Sequence, residues 1–402
     1  MKGQPLPQAP AAAVTRRALR RVGSAAAILI VTLAIYAALD WSFGLFLRYQ
    51  DHLFPPDPNV VPGHRGQPYA TSEFIVEGFE LGGVMTIPGT GLLMPQEVHG
   101  RYYNVDRLPP TGLNYRRTAN PRESKLAAVT VLFIGGSNVY GAEVPDDMTV
   151  ASLLSKRLNQ LDPAHRYMVV NAGVTGADSA LEKGRLAYEL AHGQRPDIVL
   201  VMDGGLDVME GIYLAMPRRP QAAGLSQPVE WFHRYAPLNI YRWLRAWGAA
   251  HAVALGLKHA PPQLGDPARL KVLTDQTMRF YVENQLGMAE LARAAHARFI
   301  SIVEPNRYAS EFKGKADDIA YVDGTMAAHM PGLQEKLPGF LETLSETHAG
   351  LAARGIETLD LSAVFRDKTG NIFTTSPGHF NGTGSRIVAD RIAAAILERA
   401  SR

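Results

Sequence analysis

From Ala127 to the C-terminus the chain keeps one rhythm: a short apolar run, a turn, then a longer amphipathic stretch. The runs fall at 127–134, 167–171, 197–202, 299–303 and 356–361, and the amphipathic stretches near 149–161, 178–192, 270–296, 333–353 and 383–399. Runs this short, rich in Val, Ile and Leu, read as strands buried on both faces, and the longer stretches read as helices. Strands joined through helices run parallel, because each connection must cross back over the sheet before the next strand starts. The rhythm therefore predicts an α/β chain, a three-layer αβα flavodoxin-like sandwich around a five-stranded parallel sheet. Such sheets bind ligands outside the carboxyl ends of their strands, which directs attention to the residues found there.

What precedes this rhythm differs in kind. Residues 1–21 contain Lys2, Arg16, Arg17, Arg20 and Arg21 and no acid, so the overall charge of +3 is an average over unlike parts. The remainder balances 36 bases against 38 acids, which gives no electrostatic case for nucleic acid. Val22 to Leu39 is a run of 18 residues without a charge, and Trp41, Phe43, Leu45, Phe46 and Leu47 follow Asp40. That length suits a transmembrane helix over 22–47. Arginines just ahead of it predict a cytoplasmic N-terminus and a periplasmic body held at the inner membrane. A cleaved signal peptide is the competing reading, but Ser42-Phe43-Gly44 is the nearest, and poor, match to a small-x-small cleavage site. Residues 48–126, rich in Pro and Gly, read as a stalk and a lead-in that packs on the edge of the domain at 127–402.

Two insertions break the rhythm, at 208–269 and 305–332, and both leave from the carboxyl edge of the expected sheet. The first carries Trp231, Phe232, Tyr235, Trp243 and Trp247. It reads as a helical cap on its own domain, with a lid or an acyl-facing surface as the alternative.

Four segments fall at strand ends: Gly135-Gly136-Ser137, Asn171-Ala172-Gly173-Val174-Thr175-Gly176, Asp203-Gly204-Gly205-Leu206-Asp207, and Ser376-Pro377-Gly378-His379-Phe380-Asn381. A serine hydroxyl is a weak nucleophile until a base takes its proton, and the tetrahedral intermediate needs fixed donors at its oxyanion. A serine after the first strand, glycines after the second and a histidine before the last helix are the residue types for that chemistry. Through "FIGGSNVYG", "VVNAGVTGADS", "RPDIVLVMDGGLD" and "HFNGTGSRIVADRI", in that order, the chain resembles the SGNH (GDSL-like) hydrolase superfamily from about Tyr115 onward. The resemblance implies Ser137 as nucleophile, His379 as base, and the N–H groups of Ser137 and Gly176 as oxyanion donors. It implies an esterase or O-acyltransferase acting on O-acetyl esters of envelope or secreted polysaccharide, with lipid esters second.

The sequence departs from the family pattern at three places. Gly136 replaces the aspartate of the first block. Leu206 stands where the family has a donor asparagine, and leucine cannot donate. Ser376 stands where an aspartate would orient the histidine. Losing one oxyanion donor costs on the order of 10²–10³ in rate. Asn138 and Asn171 are candidates to replace the donor, and Asp203 and Asp207 to replace the acid. The departures also admit a different class of function: a non-catalytic domain that binds a glycan or a partner in a membrane-bound envelope complex.

Other chemistries find little purchase. The chain has no cysteine, so disulfides and thiolate chemistry are excluded. The remaining histidines show no metal-ligand spacing, and no metal or cofactor is expected. The nucleophile elbow G-x-S-x-G is interrupted by Val139, and no phosphate loop is present.

Overall fold

The computed structural model describes residues 24, 27–43, 84–87, 89–100, 103–121, 126–142, 144–215, 267–309, 312–313, 333–370, 372–374 and 378–400. Five parallel strands form its centre: β6 (Ala128–Gly135), β7 (Arg166–Asn171), β8 (Ile198–Asp203), β9 (Arg298–Val303) and β10 (Glu357–Asp360). Their order across the sheet is β10-β9-β8-β6-β7. Read from the other edge, this is the flavodoxin order of a doubly wound sheet, with the switch point between β6 and β8. Val131, Leu132 and Phe133 are fully buried, as are Val199 through Met202. Burial on both faces is what a continuous apolar run, rather than an alternating one, produces.

Helices cover both faces. On one side, α3 (Ser179–Ala191), α4 (Gly205–Ala215), α5 (Pro267–Ala294) and α6 (Leu333–Ala349) enclose a core containing Leu132, Ile134, Val199, Tyr281 and Leu344. On the other, α2 (Val150–Leu161) and α7 (Gly382–Ala400) close over Phe133, Val169, Leu200, Ile302 and Val388. The start of α3 follows from Asp178, whose carboxylate accepts from the backbone N–H of Leu181, the expected N-cap contact.

The sheet is larger and less uniform than five parallel strands. β3 (Val98–His99), β4 (Asn104–Leu108) and β5 (Leu113–Arg116) pair antiparallel and join it through β5 on β7, giving eight strands in all. This corrects the expectation of a five-stranded, all-parallel sheet: residues 98–116 of the lead-in pack on its edge as added strands. These strands have two to five residues and carry Asn, Asp and Arg, so no apolar run announces them. A separate pair, β1 (Val84–Thr86) with β2 (Leu93–Pro95), precedes them.

The extension is fastened to the centre of the molecule by Arg116. Its guanidinium carbon lies 3.7 Å from the ring centroid of Tyr103 and 5.3 Å from that of Tyr140. Its Nε donates to Asp146 at 2.8 Å. Two aromatic faces and a carboxylate offset part of the cost of burying a guanidinium.

Residues 27–43 are helical, with Ile28, Leu29, Ile30, Val31 and Leu33 all exposed. Among the described residues no helix is long and apolar enough to cross a membrane. The rest of the expected span at 22–47, nearly all of both insertions and Ser376 lie outside the described residues.

Candidate active site

β6 ends on Gly135, and through Gly136 the chain turns at once into a one-turn helix, α1 (Ser137–Tyr140). The turn is built on close approach. A Cβ on Gly135 would lie 2.3 Å from Val139 Cγ2 and 2.5 Å from the Met202 carbonyl oxygen. A Cβ on Gly173 would lie 2.3 Å from the Tyr140 backbone nitrogen. The β7–α3 loop is therefore pressed against α1, and the Val174 N–H donates to the Gly135 carbonyl at 2.9 Å. Ser137 occupies the first position of α1, where backbone N–H groups have no partner within the helix.

The histidine arrives from the far end of the sequence. Residues Ile372–Thr374 and His379–Asn381 run antiparallel, held by Thr374 N–H to the His379 carbonyl at 3.0 Å and Asn381 N–H to the Ile372 carbonyl at 2.9 Å. Asn381 then starts α7, its side-chain oxygen accepting from the N–H groups of Thr383 at 3.0 Å and Gly384 at 3.2 Å. Gly384 fits because a Cβ there would sit 2.8 Å from Phe380 Cβ. This arrangement brings His379 Nε2 to 2.7 Å from Ser137 Oγ. With Nε2 as acceptor and the proton on Nδ1, that contact is the one a general base makes to a serine nucleophile. Ser137 and His379 share the wall of a small pocket with Asn138, Ala142, Val144 and Phe380.

The other residues singled out in the sequence take different positions. Gly176 lies in the β7–α3 loop with φ of +79°, a left-handed conformation that favours glycine. Its neighbour Ala177 abuts Gly136, with the Ala177 carbonyl oxygen 3.4 Å from where a Gly136 Cβ would be. Leu206 reaches the same spot from α4, its Cδ1 also 3.4 Å from that position, so an apolar side chain fills the place beside the serine turn. Asn171 is not an oxyanion donor: its amide donates to the Val139 carbonyl at 2.8 Å and its oxygen accepts from Gly173 N–H at 3.1 Å. It fixes the turn.

Asp203 and Asp207 turn away from the serine. Asp203 accepts from Gln285 of α5 at 2.8 Å, and Asp207 accepts from the Ser179 hydroxyl at 2.5 Å, both within the α3–α5 side of the core. With Glu182 they form a cluster of carboxylates that are 1% to 7% exposed. Burial pushes all three pKa values up, Asp207 to about 7, and their mutual repulsion adds to this. Neither aspartate takes the acid's place at the histidine.

A residue that the sequence did not single out does come near it. Glu304 follows β9 directly, and its Oε2 accepts from Asn138 Nδ2 at 2.5 Å. The backbone N–H of Gly205 also donates to this carboxylate, and a Cβ on Gly205 would fall 2.0 Å from Oε1. Desolvation raises the Glu304 pKa, while the Asn138 bond, the charge of His379 and the Gly205 N–H work against that rise. Asn138 is thus engaged with Glu304 rather than held ready for an oxyanion. The available signal was a lone acid at the carboxyl end of an apolar strand, which by itself distinguishes nothing.

Among the described residues no group of three or more His, Asp or Glu side chains could hold a metal ion. No protein-family model matches the chain, and no curated protein does. Among solved structures, the chain is similar to the crystal structure of TesA at 17% identity, covering 66% of this chain and 97% of that one with a TM-score of 0.37. It is similar to a putative lipolytic protein of the G-D-S-L family from Desulfitobacterium hafniense at 14% identity, over 66% of this chain and 99% of that one, TM-score 0.36. The acetyl xylan esterase AlAXEase gives 14% identity over 67% and 100% respectively, TM-score 0.35.

Proposed function

We propose that the chain is an SGNH-type serine esterase or O-acyltransferase. One observation carries the reading: two residues separated by 242 positions in sequence meet at 2.7 Å with the geometry of a nucleophile and its base. His379 Nε2 takes the Ser137 proton as Oγ attacks the acyl carbonyl carbon, and the carbonyl π pair moves onto oxygen. The N–H groups of Ser137 and Gly176 hold that oxyanion. Collapse breaks the ester C–O bond, the leaving alkoxide takes the proton from His379, and the acyl group stays on Oγ. Water, or an acceptor hydroxyl in the transferase case, then repeats the sequence on the acyl-enzyme.

The pocket bounded by Ala142, Val144 and Phe380 favours a short acyl group such as acetyl. The resemblance to the SGNH superfamily implies acetyl esters of envelope or secreted polysaccharide as the substrate class. The basic tail and the exposed apolar helix at 27–43 support an anchor in the inner membrane with the domain outside the cytoplasm.

The full chain in detergent, treated with a fluorophosphonate probe and with p-nitrophenyl acetate, tests the chemistry beside Ser137→Ala and His379→Ala. Labelling and turnover should appear in the unsubstituted protein, vanish in Ser137→Ala and fall by about 10³ or more in His379→Ala. Neither labelling nor turnover would overturn the esterase reading. Leu206 beside Gly136, where a donor would be needed, favours the second reading, a non-catalytic glycan- or partner-binding domain, and that result would support it.

A further inference from the structure

The histidine of a serine hydrolase becomes an imidazolium during the reaction, and a carboxylate usually stabilises it. Position 376, where the family's sequence pattern would put that acid, is a serine. The candidates for a replacement lie among the described residues. Four carboxylates are desolvated near the carboxyl ends of the central strands: Glu182 on α3, Asp203 at the end of β8, Asp207 on α4 and Glu304 after β9. For three of them the main partners are one another and the polar side chains around them. Glu304 alone counts the charge of His379 among its principal influences.

The packing supports this connection independently. Gly378, next to His379, places its Cβ direction 3.7 Å from the Asn138 amide nitrogen and 3.9 Å from the Pro305 carbonyl. The histidine loop therefore rests on the residue that follows Ser137 and on the residue that follows Glu304. Glu304 is held in that junction from two sides, by the Asn138 amide at 2.5 Å and by the Gly205 N–H. Two fixed N–H donors oppose the rise that burial imposes on the carboxyl pKa and keep the side chain from swinging away.

Resting on the proposed esterase chemistry, we infer that Glu304 is the positioning acid of the site: from the end of β9, clamped by Asn138, it supplies the negative charge that stabilises protonated His379. The role of the missing aspartate is thereby moved from the loop that carries the histidine to a neighbouring strand. Asn138 gains a purpose as well, since it ties the turn bearing the nucleophile to the acid that serves the base. Asp203 and Glu182 also face Glu304 and oppose its ionisation. The two N–H donors and His379 work against that opposition.

Glu304→Gln tests the assignment, since glutamine keeps the shape of the side chain and one acceptor oxygen but carries no charge, so one of the two N–H donors loses its acceptor. The first readout is the titration of His379 by NMR in the full chain, which needs no turnover. Its midpoint should fall by about one unit in Glu304→Gln and stay near the original in Glu304→Asp. In the unsubstituted protein the Glu304 carboxyl carbon resonance should follow the His379 midpoint, a measurement that survives if Glu304→Gln does not fold. The second readout is kcat for p-nitrophenyl acetate, expected to drop at least about tenfold with KM little changed, and with the acid limb of the pH profile moved down by the same unit. Normal turnover with an unmoved His379 midpoint would overturn the role of Glu304 and leave the esterase reading intact. A shifted midpoint in a protein that neither turns over nor labels would uphold the Glu304–His379 pairing and overturn the esterase reading.

Discussion

Two of the places where carboxylates are buried, both at the carboxyl end of the central sheet, are solved differently. In the first, Glu304 meets an amide, a backbone N–H and a histidine. On the α3–α5 side, Glu182, Asp203 and Asp207 meet mostly one another. Both places are fed by the ends of β8 and β9, only a residue or two apart in register. Burial raises the carboxyl pKa in both, but in the first the amide, the backbone N–H and the histidine oppose the rise, whereas in the second neighbouring carboxylates add to it. Burial alone does not decide the charge of a carboxylate; the donors that come with it do.

The largest effect should come from breaking the first setting. Gly205→Ala would place a methyl 2.0 Å from Glu304 Oε1, on a backbone whose N–H donates to that carboxylate. The carboxylate must move, and kcat should fall by about 10², with far-UV circular dichroism unchanged. An active Gly205→Ala protein would mean that the seat of Glu304 does not matter to the chemistry. A smaller effect tests the other side of the same site. Leu206→Asn restores a donor type beside Gly136, and kcat should rise by roughly tenfold, below the full value of one oxyanion donor because the amide has not been positioned by its surroundings. A fall in kcat with raised KM would instead show that the leucine lines the acyl pocket.

How much of this was legible depends on where the information lies along the chain. The five parallel strands are continuous apolar runs, so each declares itself locally. β4 reads Asn-Val-Asp-Arg-Leu and β5 Leu-Asn-Tyr-Arg; their stability comes from pairing and from the Arg116 stack, which joins residues far apart in sequence. Ser137 and His379 carry their signal in short motifs with glycines whose need is local: a tight turn at Gly135, a close approach at Gly384. Glu304 has no such motif. Its partner Asn138 is 166 residues away, and only the register of β6 and β9 on either side of β8 brings them together. Asp203 and Asp207 looked equally suited to serve the histidine, because a sequence does not say which face of the sheet a residue at a strand end will join.

The smallest effect concerns the second setting and appears in stability rather than activity. A carboxyl whose folded pKa lies above its unfolded value binds more protons in the folded state, so stability is lost as pH rises from the unfolded value through the folded one. For Asp207, raised from 3.8 to about 7, that loss runs from near pH 4 to pH 7, and Glu182 and Asp203 push in the same direction. Tm should therefore decline between pH 5 and pH 8. Glu182→Gln removes one titrating group without costing a direct contact, since neither Glu182 oxygen has a hydrogen-bond partner beyond its neighbour Asp203. Its amide can donate to Asp203 Oδ1, which is otherwise unpaired among the described residues. Tm of Glu182→Gln, followed by calorimetry, should match the unsubstituted protein near pH 5 and exceed it by a few degrees at pH 8, with the kcat pH profile unmoved. A parallel decline in both proteins would show that Glu182 does not titrate above its ordinary range, and the contrast between the two settings would fall.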